Sequence, residues 1–471
     1  MKRSLNYRNI TLLSTIFFCG LLAFLAFKLY QSEGFIPVDI DEVPYYYGGQ
    51  TFSETGSVRF TSCWDGNVSR WFQCNWYGPL FPIIFGFFFI GFSSSKSFLA
   101  FNLLLVLGLF CFGLFQLVVK RNQIGHLYLW SMFNPVTLIF CAYYFPVVIL
   151  LLIGLFLISR FHILFLKVTE VRLHVFIVLC FCAGLFRQNF VLWIVALIPF
   201  YSYLNVNQRW RILLMGFLAV LLSFFWHFYF CAKPEAPYGI ADLSSVCGNL
   251  KSNLIILSDY CLSYKDPWYF PFFFTLFSPL LFWKRLQNKF CLGLFFILLT
   301  HILFSALFYS FHPYFFTRIS VVIFPVIIYG LLSQIKPSPV LTLMGLFIWS
   351  GTCLYATFWA VNHYRQGEQA YLANRTDQFK PALSHYFSKE VKKDVSSIIC
   401  YVPNYMANMR LLNNIPYSVN NQPISYIVYT DLLPDQTRYP ALKITHVLSA
   451  TDSIINGESP EKVKNYFIYS R

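Results

Sequence analysis

Residues 98–119 read FLAFNLLLVLGLFCFGLFQLVV, a stretch without a single charged side chain. A helix needs about 20 mainly apolar residues to cross the hydrocarbon core of a bilayer, so this stretch predicts a membrane-spanning helix. The rest of the chain repeats the pattern, and together the runs predict an all-α polytopic membrane protein of about 11 transmembrane helices. The apolar runs lie at 10–29, 98–119, 124–140, 142–158, 171–186, 190–205, 211–231, 269–283, 290–310, 316–335 and 339–361.

The composition excludes most other classes of protein. Of the 471 residues, 57% are hydrophobic and 12% are charged, and the mean hydropathy is +0.57, which is far too apolar for a soluble domain. The net charge of +15 indicates cytoplasmic loops rich in Lys and Arg more than a nucleic-acid surface. The 13 cysteines show no metal-ligand spacing.

The distribution of positive charge predicts the topology. The segment 78–92 is short and opens with two prolines, so we interpret it as an interfacial or re-entrant helix. With that choice the loop Lys and Arg residues fall on the cytoplasmic side, as the positive-inside tendency requires. The large first loop (30–97), a second loop (232–268) and the tail (362–471) are then non-cytoplasmic. Paired thiols in these loops, Cys63 with Cys74 and Cys247 with Cys261, could form disulfides in an oxidising compartment.

The tail differs in composition from the rest of the chain. Residues 1–361 form the predicted transmembrane domain, and 362–471 are more polar, with short strand-like runs at 397–401, 426–429, 442–447 and 466–469. A helical stretch at 404–412 follows the first run. Strand and helix in alternation predict a small non-cytoplasmic α/β domain.

Three groups of residues on the predicted outer side could carry chemistry. The first is an acidic cluster, Asp39, Asp41 and Glu42, directly after the first apolar run. A carboxylate there could act as a general base, and the spacing could also hold a divalent metal such as Mg or Mn, although a solvated loop explains it equally well. Which of the three would be the base stays open.

The other two groups are cationic or aromatic. Arg187 follows the run 171–186 in a tight turn, on the side where positive charge is disfavoured, so it could bind a phosphate or anchor to lipid headgroups. His312, Tyr314 and Arg318 stand together before a late run and could complete a polar site or form an interfacial aromatic belt.

Together these residues resemble the GT-C superfamily of membrane glycosyltransferases. The resemblance is to the branch that uses polyprenyl-phosphate sugars, which includes the dolichyl-phosphate-mannose–protein mannosyltransferases and the bacterial aminoarabinose transferases. It rests on five features spread along the chain: Asp41-Glu42 after the first span, the sequence WYGPLFP at 76–82, Arg187, the group His312-Pro313-Tyr314 with Arg318, and a tail that opens IICYVP at 398–403.

The resemblance implies a fold, a reaction and a set of roles. It implies an integral membrane glycosyltransferase that takes a polyprenyl-phosphate-linked sugar, with Asp41 first and Glu42 next as catalytic residues and Arg187 and Arg318 at the phosphate. The additional Asp39 departs from the family pattern. Because nothing in the sequence indicates a second nucleophile, we expect inversion at the anomeric carbon.

The acceptor would be a lipid, a glycan or a protein, and membrane lipids would surround the chain. We expect a multi-pass protein of a bacterial inner membrane, in preference to the endoplasmic reticulum, because the residue usage is that of an AT-rich genome. The alternative is a transporter or flippase for a lipid-linked or anionic solute, which would place charges and broken helices near the bilayer midplane.

Overall fold

The computed structural model describes the helices and strands of the chain and a few short pieces between them. The described residues are 2–31, 49, 52–53, 56, 58, 62–64, 79–91, 97–118, 123–132, 134–141, 146–230, 248, 251–253, 255, 276–283, 285–308, 322–334, 339–372, 397–401, 418–419, 422–423, 426–430, 446–449, 461–463 and 466–470.

Most of the described helices overlap a predicted apolar run. They are α1 (Lys2–Tyr30), α2 (Leu80–Gly91), α3 (Ser97–Val118), α4 (Gln123–Met132), α5 (Pro135–Cys141), α6 (Val147–Leu166), α7 (Glu170–Phe186), a 3-10 helix (Gln188–Tyr203), α8 (Val206–Phe230), α9 (Ser278–Trp283), α10 (Lys289–Phe308), α11 (Ile323–Gln334) and α12 (Pro339–Leu372).

Within the described part of the chain, four helical segments are long and apolar enough to cross a membrane. They are Asn9–Leu29, Phe101–Val118, Val147–Leu166 and Val206–His227. Their outer surfaces are apolar as well: on α8, Trp210, Phe217 and Phe225 are 68%, 64% and 62% exposed along one face. These features are compatible with a membrane protein. The count of eleven spans stays a prediction.

The structure corrects three of the predicted runs. The single run expected at 124–140 is two helices, α4 and α5, with Asn134 between them. Asn134 is fully buried, and its side-chain oxygen accepts from the Thr137 amide at 2.8 Å, so it caps α5. Pro135 follows at the first helical position, where its missing N–H costs nothing. The run expected at 142–158 is helical instead over Val147–Leu166.

The third correction concerns the run expected at 190–205. It forms a 3-10 helix of 16 residues, where an α-helix was expected. At about 2.0 Å per residue it is roughly 32 Å long, whereas the same residues in an α-helix would reach about 24 Å. Helix α7 is about 26 Å long, so the 16 residues return the chain along α7 in either form.

The helices surround one apolar core whose largest buried side chains include Trp193, Tyr329 and Phe161. The 3-10 helix lies against α7, α8 and α10. Helices α1 and α12 run parallel, since Phe18 lies beside Cys353 in a shared pocket and the ring centroids of Phe24 and Phe358 are 5.9 Å apart. The first loop and the tail therefore leave the helices at the same end.

The strands give a second reason to associate the first loop with the tail. They are β1 (Ser62–Trp64), β2 (Ser397–Tyr401), β3 (Ser418–Val419), β4 (Gln422–Pro423), β5 (Tyr426–Thr430), β6 (His446–Ser449), β7 (Glu461–Val463) and β8 (Tyr466–Ser470). Six of them form one mixed sheet in the order β1-β5-β2-β6-β8-β7, and β3 pairs with β4 separately.

The edge strand β1 comes from the first loop and pairs parallel to β5 of the tail, with Cys63 opposite Val428. The strands β2, β5 and β8 coincide with predicted runs, and β6 begins four residues later than the run expected at 442–447. The predicted helix 404–412 falls outside the described ranges, so an α/β domain stays a prediction. Helix α12 continues past the predicted domain boundary at 361.

Candidate functional site

One end of the helix set carries a group of basic side chains, here called the basic rim: Lys167, Arg172, Arg209, Arg211 and Lys289. Several of them complete the ends of helices. Arg172 donates to the carbonyls of Ile163 and Lys167 at 3.2 and 3.1 Å, and so closes the last turn of α6. Arg209 does the same for the 3-10 helix through the carbonyls of Tyr201 and Leu204.

Helices α7 and α8 run in the same direction from this rim. Glu170 at the start of α7 forms an ion pair with Arg211 of α8 at 3.5 Å, and it accepts from Gln208 at 2.9 Å. Gln208 and Asn205 also exchange side-chain to backbone bonds of 2.9 and 3.1 Å, which form a capping box at the start of α8. The gathering of the rim at one end agrees with the charge pattern from which a cytoplasmic side was predicted. That the basic rim faces the cytoplasm stays a prediction.

Arg187 lies at the opposite end of α7. Its backbone is extended, with φ −155° and ψ 122°, and it joins the end of α7 to the start of the 3-10 helix. The Arg187 amide donates to the Ala183 carbonyl at 3.1 Å, and its own carbonyl accepts from the Phe190 amide at 3.0 Å. This is the tight turn that the sequence predicted.

The side chain of Arg187 is only 3% exposed. A buried guanidinium is costly unless charged or polar groups accompany it, so such a residue in an apolar helix set is a candidate functional residue. Its forked donors match the oxygens of a phosphate or carboxylate. Chemically, this position can hold an anionic group at the end of the helices.

Helix α2, which carries part of the WYGPLFP segment, packs beside this turn. Phe81 and Phe85 of α2 are buried, and the Phe81 ring lies 5.6 Å from that of Phe186, the residue before Arg187. Phe85 contacts Phe101 of α3 at 5.6 Å in an edge-to-face arrangement. With 12 residues, α2 is about 18 Å long. That is too short to span a bilayer, as an interfacial or re-entrant helix would be.

A piece of the first loop rests on the other side of α2. A Cβ at Gly86 would come within 2.9 Å of the Gly49 carbonyl oxygen and would clash with the Phe52 side chain, so these groups touch the glycine surface. The Phe52 and Phe87 rings are 5.3 Å apart. The loop that carries the acidic cluster is therefore attached to the helix that neighbours Arg187.

Two polar residues near Arg187 were not anticipated from the sequence. His227 Nε2 lies 2.6 Å from the Gly184 carbonyl, and since a carbonyl only accepts, the histidine donates. Ser223, one turn earlier on α8, is fully buried next to Gly184. A lone histidine in an apolar run gives no periodic signal. Its only clue was its polarity inside the predicted span 211–231.

The remaining sequence-predicted site residues lie outside the part of the chain that the structure describes. They are Asp39, Asp41, Glu42, His312, Tyr314 and Arg318. Of the predicted set, the structure places Arg187; α2 packs beside its turn, and Gly49 and Phe52 of the first loop contact α2. Among the described residues, no group of three or more His, Cys, Asp or Glu side chains could hold a metal ion. The acidic cluster, where a metal was considered, is not among those residues.

Comparison with known proteins does not assign the chain to a family. No protein-family model matches the chain, and no curated protein sequence matches it.

Proposed function

We propose that the chain is an integral membrane glycosyltransferase. It would move a sugar from a polyprenyl-phosphate donor to a lipid, glycan or protein acceptor on the non-cytoplasmic face of a bacterial inner membrane. The observation that carries this proposal is the buried Arg187, at the end of the helix set opposite to the basic rim and next to α2.

The charge distribution supports a phosphate at this end. At the far end of α7, cations of the basic rim cap the ends of helices, and one of them pairs with Glu170. Arg187 is separated from them by the length of that helix, about 26 Å for 17 residues. A cation held at this end of the helix set suits a negatively charged ligand, such as the phosphate of a lipid-linked sugar.

The connection between the first loop and α2 supports a carboxylate near the same place. Asp41 and Glu42 precede Gly49 by eight and seven residues, and Gly49 touches α2. An extended chain covers at most about 3.5 Å per residue, so roughly 25 to 28 Å bounds the distance of the cluster from that contact. Arg187, α2 and the acidic cluster can thus contribute to one site.

In the proposed reaction Asp41, or Glu42 beside it, removes a proton from the acceptor hydroxyl or amine. The acceptor attacks the anomeric carbon in line, the bond to the phosphate oxygen breaks, and the configuration inverts. The leaving phosphate already carries its charge, so it needs cations such as Arg187 and Arg318 rather than an acid. His312 and Tyr314 would line the site. A divalent metal held by Asp39 and Asp41 is compatible with this scheme, which does not require one.

The pairing between the first loop and the tail supports a domain that lies over the proposed site. Because β1 pairs with β5, the loop that holds the acidic cluster and the tail share one sheet. We propose that this sheet, with the helix expected at 404–412, forms a non-cytoplasmic α/β domain that selects the acceptor. The eleven-span arrangement of the membrane domain belongs to the same proposal.

The test is mass spectrometry of glycans and lipid A from cells that lack the gene and are then complemented. Wild-type protein should restore one sugar mass, whereas Asp41→Asn, Glu42→Gln or Arg187→Gln should reduce or abolish it at equal protein levels. Glu54→Gln, in the same loop, and Arg211→Gln, on the basic rim, serve as matched controls and should restore it. Full activity of both Asp41→Asn and Glu42→Gln would refute the proposal.

A transporter or flippase remains the second candidate because of the break between α4 and α5. Interrupted helices line the substrate sites of many transporters. Transfer of sugar by detergent-solubilised protein separates the two, since a transporter has no measurable activity without a sealed membrane.

A further inference from the structure

Helix α8 presents a face of small residues towards α7 and the 3-10 helix. Gly216, Ala219 and Ser223 follow one another at helical spacing, and His227 comes one turn after Ser223. The face is in close contact with its neighbours, because a Cβ at Gly216 would lie 3.2 Å from Ile194 and Ala219 is 7% exposed. Small residues let helix backbones approach each other closely.

Helix α8 and the 3-10 helix both come close to Gly184 of α7. A Cβ there would lie 2.7 Å from Ser223 Oγ and 2.9 Å from Val191 Cβ. Because both neighbours stand against the glycine, α8 and the 3-10 helix enclose the last turn of α7 from two sides. This proximity lets the imidazole of His227 reach the backbone of α7.

The bond that His227 makes is to a carbonyl at the end of a helix. The last four carbonyls of an α-helix have no partner within the helix. The Ala183 carbonyl accepts from the Arg187 amide, and the next carbonyl, that of Gly184, accepts from His227 Nε2 at 2.6 Å. The turn that leads into Arg187 is thus fixed by one bond from Arg187 itself and one from α8.

We propose that His227 is a positioning residue that holds the end of α7, and with it the side chain of Arg187, in place to bind the phosphate of a lipid ligand. The phosphate part of this inference rests on the proposed function. The mechanical part, that His227 fixes the turn at residues 183–190, does not depend on it. The ligand class is a polyprenyl phosphate. Arg187 would bind its negatively charged phosphate at the end of the helix set.

Two substitutions separate the hydrogen bond from the bulk of the ring. His227→Phe keeps an aromatic ring of similar size and removes the donor, whereas His227→Gln supplies an amide donor that can reach the same carbonyl. His162→Phe is the matched control. His162 is a half-buried histidine that also makes one hydrogen bond, to the Tyr329 hydroxyl at 3.1 Å, but it lies near the basic-rim end of α6.

The first measurement is amide hydrogen exchange of full-length protein in nanodiscs. We expect exchange at residues 183–190 to be at least about tenfold faster in His227→Phe than in wild type, and near wild type in His227→Gln. His162→Phe should leave that segment unchanged. Unchanged exchange at 183–190 in His227→Phe would overturn the positioning role, whatever the protein's function.

The second measurement is binding of polyprenyl phosphate to the same nanodisc samples, with the uncharged polyprenol as the comparison ligand. We expect the wild type to prefer the phosphate, His227→Phe to bind it about tenfold more weakly, and His227→Gln to recover most of the affinity. Arg187→Gln should lose the preference for phosphate, and His162→Phe should keep it.

The two measurements distinguish the two ways of failing. If wild type binds phosphate and polyprenol equally while exchange still depends on His227, the proposed function and the phosphate role fail and the positioning role stands. If wild type prefers the phosphate and His227→Phe binds it as tightly, His227 does not position Arg187 for the phosphate and that part of the inference fails, whereas the proposed function is unaffected.

Discussion

Gly184→Ala tests how closely α7, α8 and the 3-10 helix pack around the turn before Arg187. The new methyl group would lie 2.7 Å from Ser223 Oγ and 2.9 Å from Val191 Cβ. Both distances are shorter than a van der Waals contact. Neither neighbour can move aside by rotating the end of a long side chain, because one is a short buried side chain and the other is fixed to the backbone.

The expected loss of stability follows from two opposing terms. Overpacking of a close contact costs about 1 to 3 kcal/mol, whereas alanine in place of glycine in a helix gains up to about 1 kcal/mol. We therefore expect a net loss of about 0 to 2 kcal/mol in the free energy of unfolding, with about 1 kcal/mol at the middle of that range. The melting temperature of the purified protein in detergent should fall by a few degrees.

The control for this prediction is Gly108→Ala in α3. A Cβ at Gly108 meets no atom within 4 Å, so the propensity term acts alone and the melting temperature should stay the same or rise. The double variant Gly184→Ala with Ser223→Ala should recover part of the loss, since it removes the nearer of the two contacts. If Gly184→Ala melts as high as Gly108→Ala relative to wild type, the close packing described at this turn is wrong.

Two further substitutions test other parts of the helix set. Asn134→Ala should lower the unfolding free energy by about 1 to 3 kcal/mol, because it leaves the buried Thr137 amide without its 2.8 Å acceptor. Asn134→Ser, whose hydroxyl can still cap the helix, should lose less in the same melting assay, and equal losses would argue against the cap. Glu170→Gln removes the charge partner of Arg211, whose side chain is 69% exposed, so we expect a change below about 1 kcal/mol that vanishes at high salt. A loss that persists in 1 M salt would mean that the contact with Gln208 outweighs the ion pair.

Helix limits were predicted most accurately where an apolar run contained few charged residues and had a charged residue at each end. Helix α7 begins at Glu170 and ends beside Arg187, within one residue of the predicted limits, because the chemistry changes abruptly at both ends. The break at Asn134 was predictable in principle from its Asn-Pro dipeptide, but continuous hydrophobicity concealed it. The 3-10 conformation was not predictable, since the same apolar residues suit either helix.

The candidate site was predicted only in part. Arg187 could be identified because a cation at that end of an apolar run conflicts with the charge pattern of the rest of the chain. His227 could not, because its role depends on a helix 43 residues away in sequence. Strand β1 was missed for a related reason: three residues are too few to show alternation, and its partner is in the tail.

The parallel pairing of β1 with β5 also sets an order of events during synthesis. Cys63 and its register partner Val428 are 365 positions apart, which takes roughly 20 to 70 s to translate. Through that interval β1 has no strand to pair with, while the helices between the two strands are being synthesised. The loop that carries the acidic cluster can therefore reach its final arrangement only after β5 has been synthesised, and a chain that stops before residue 426 would lack this pairing.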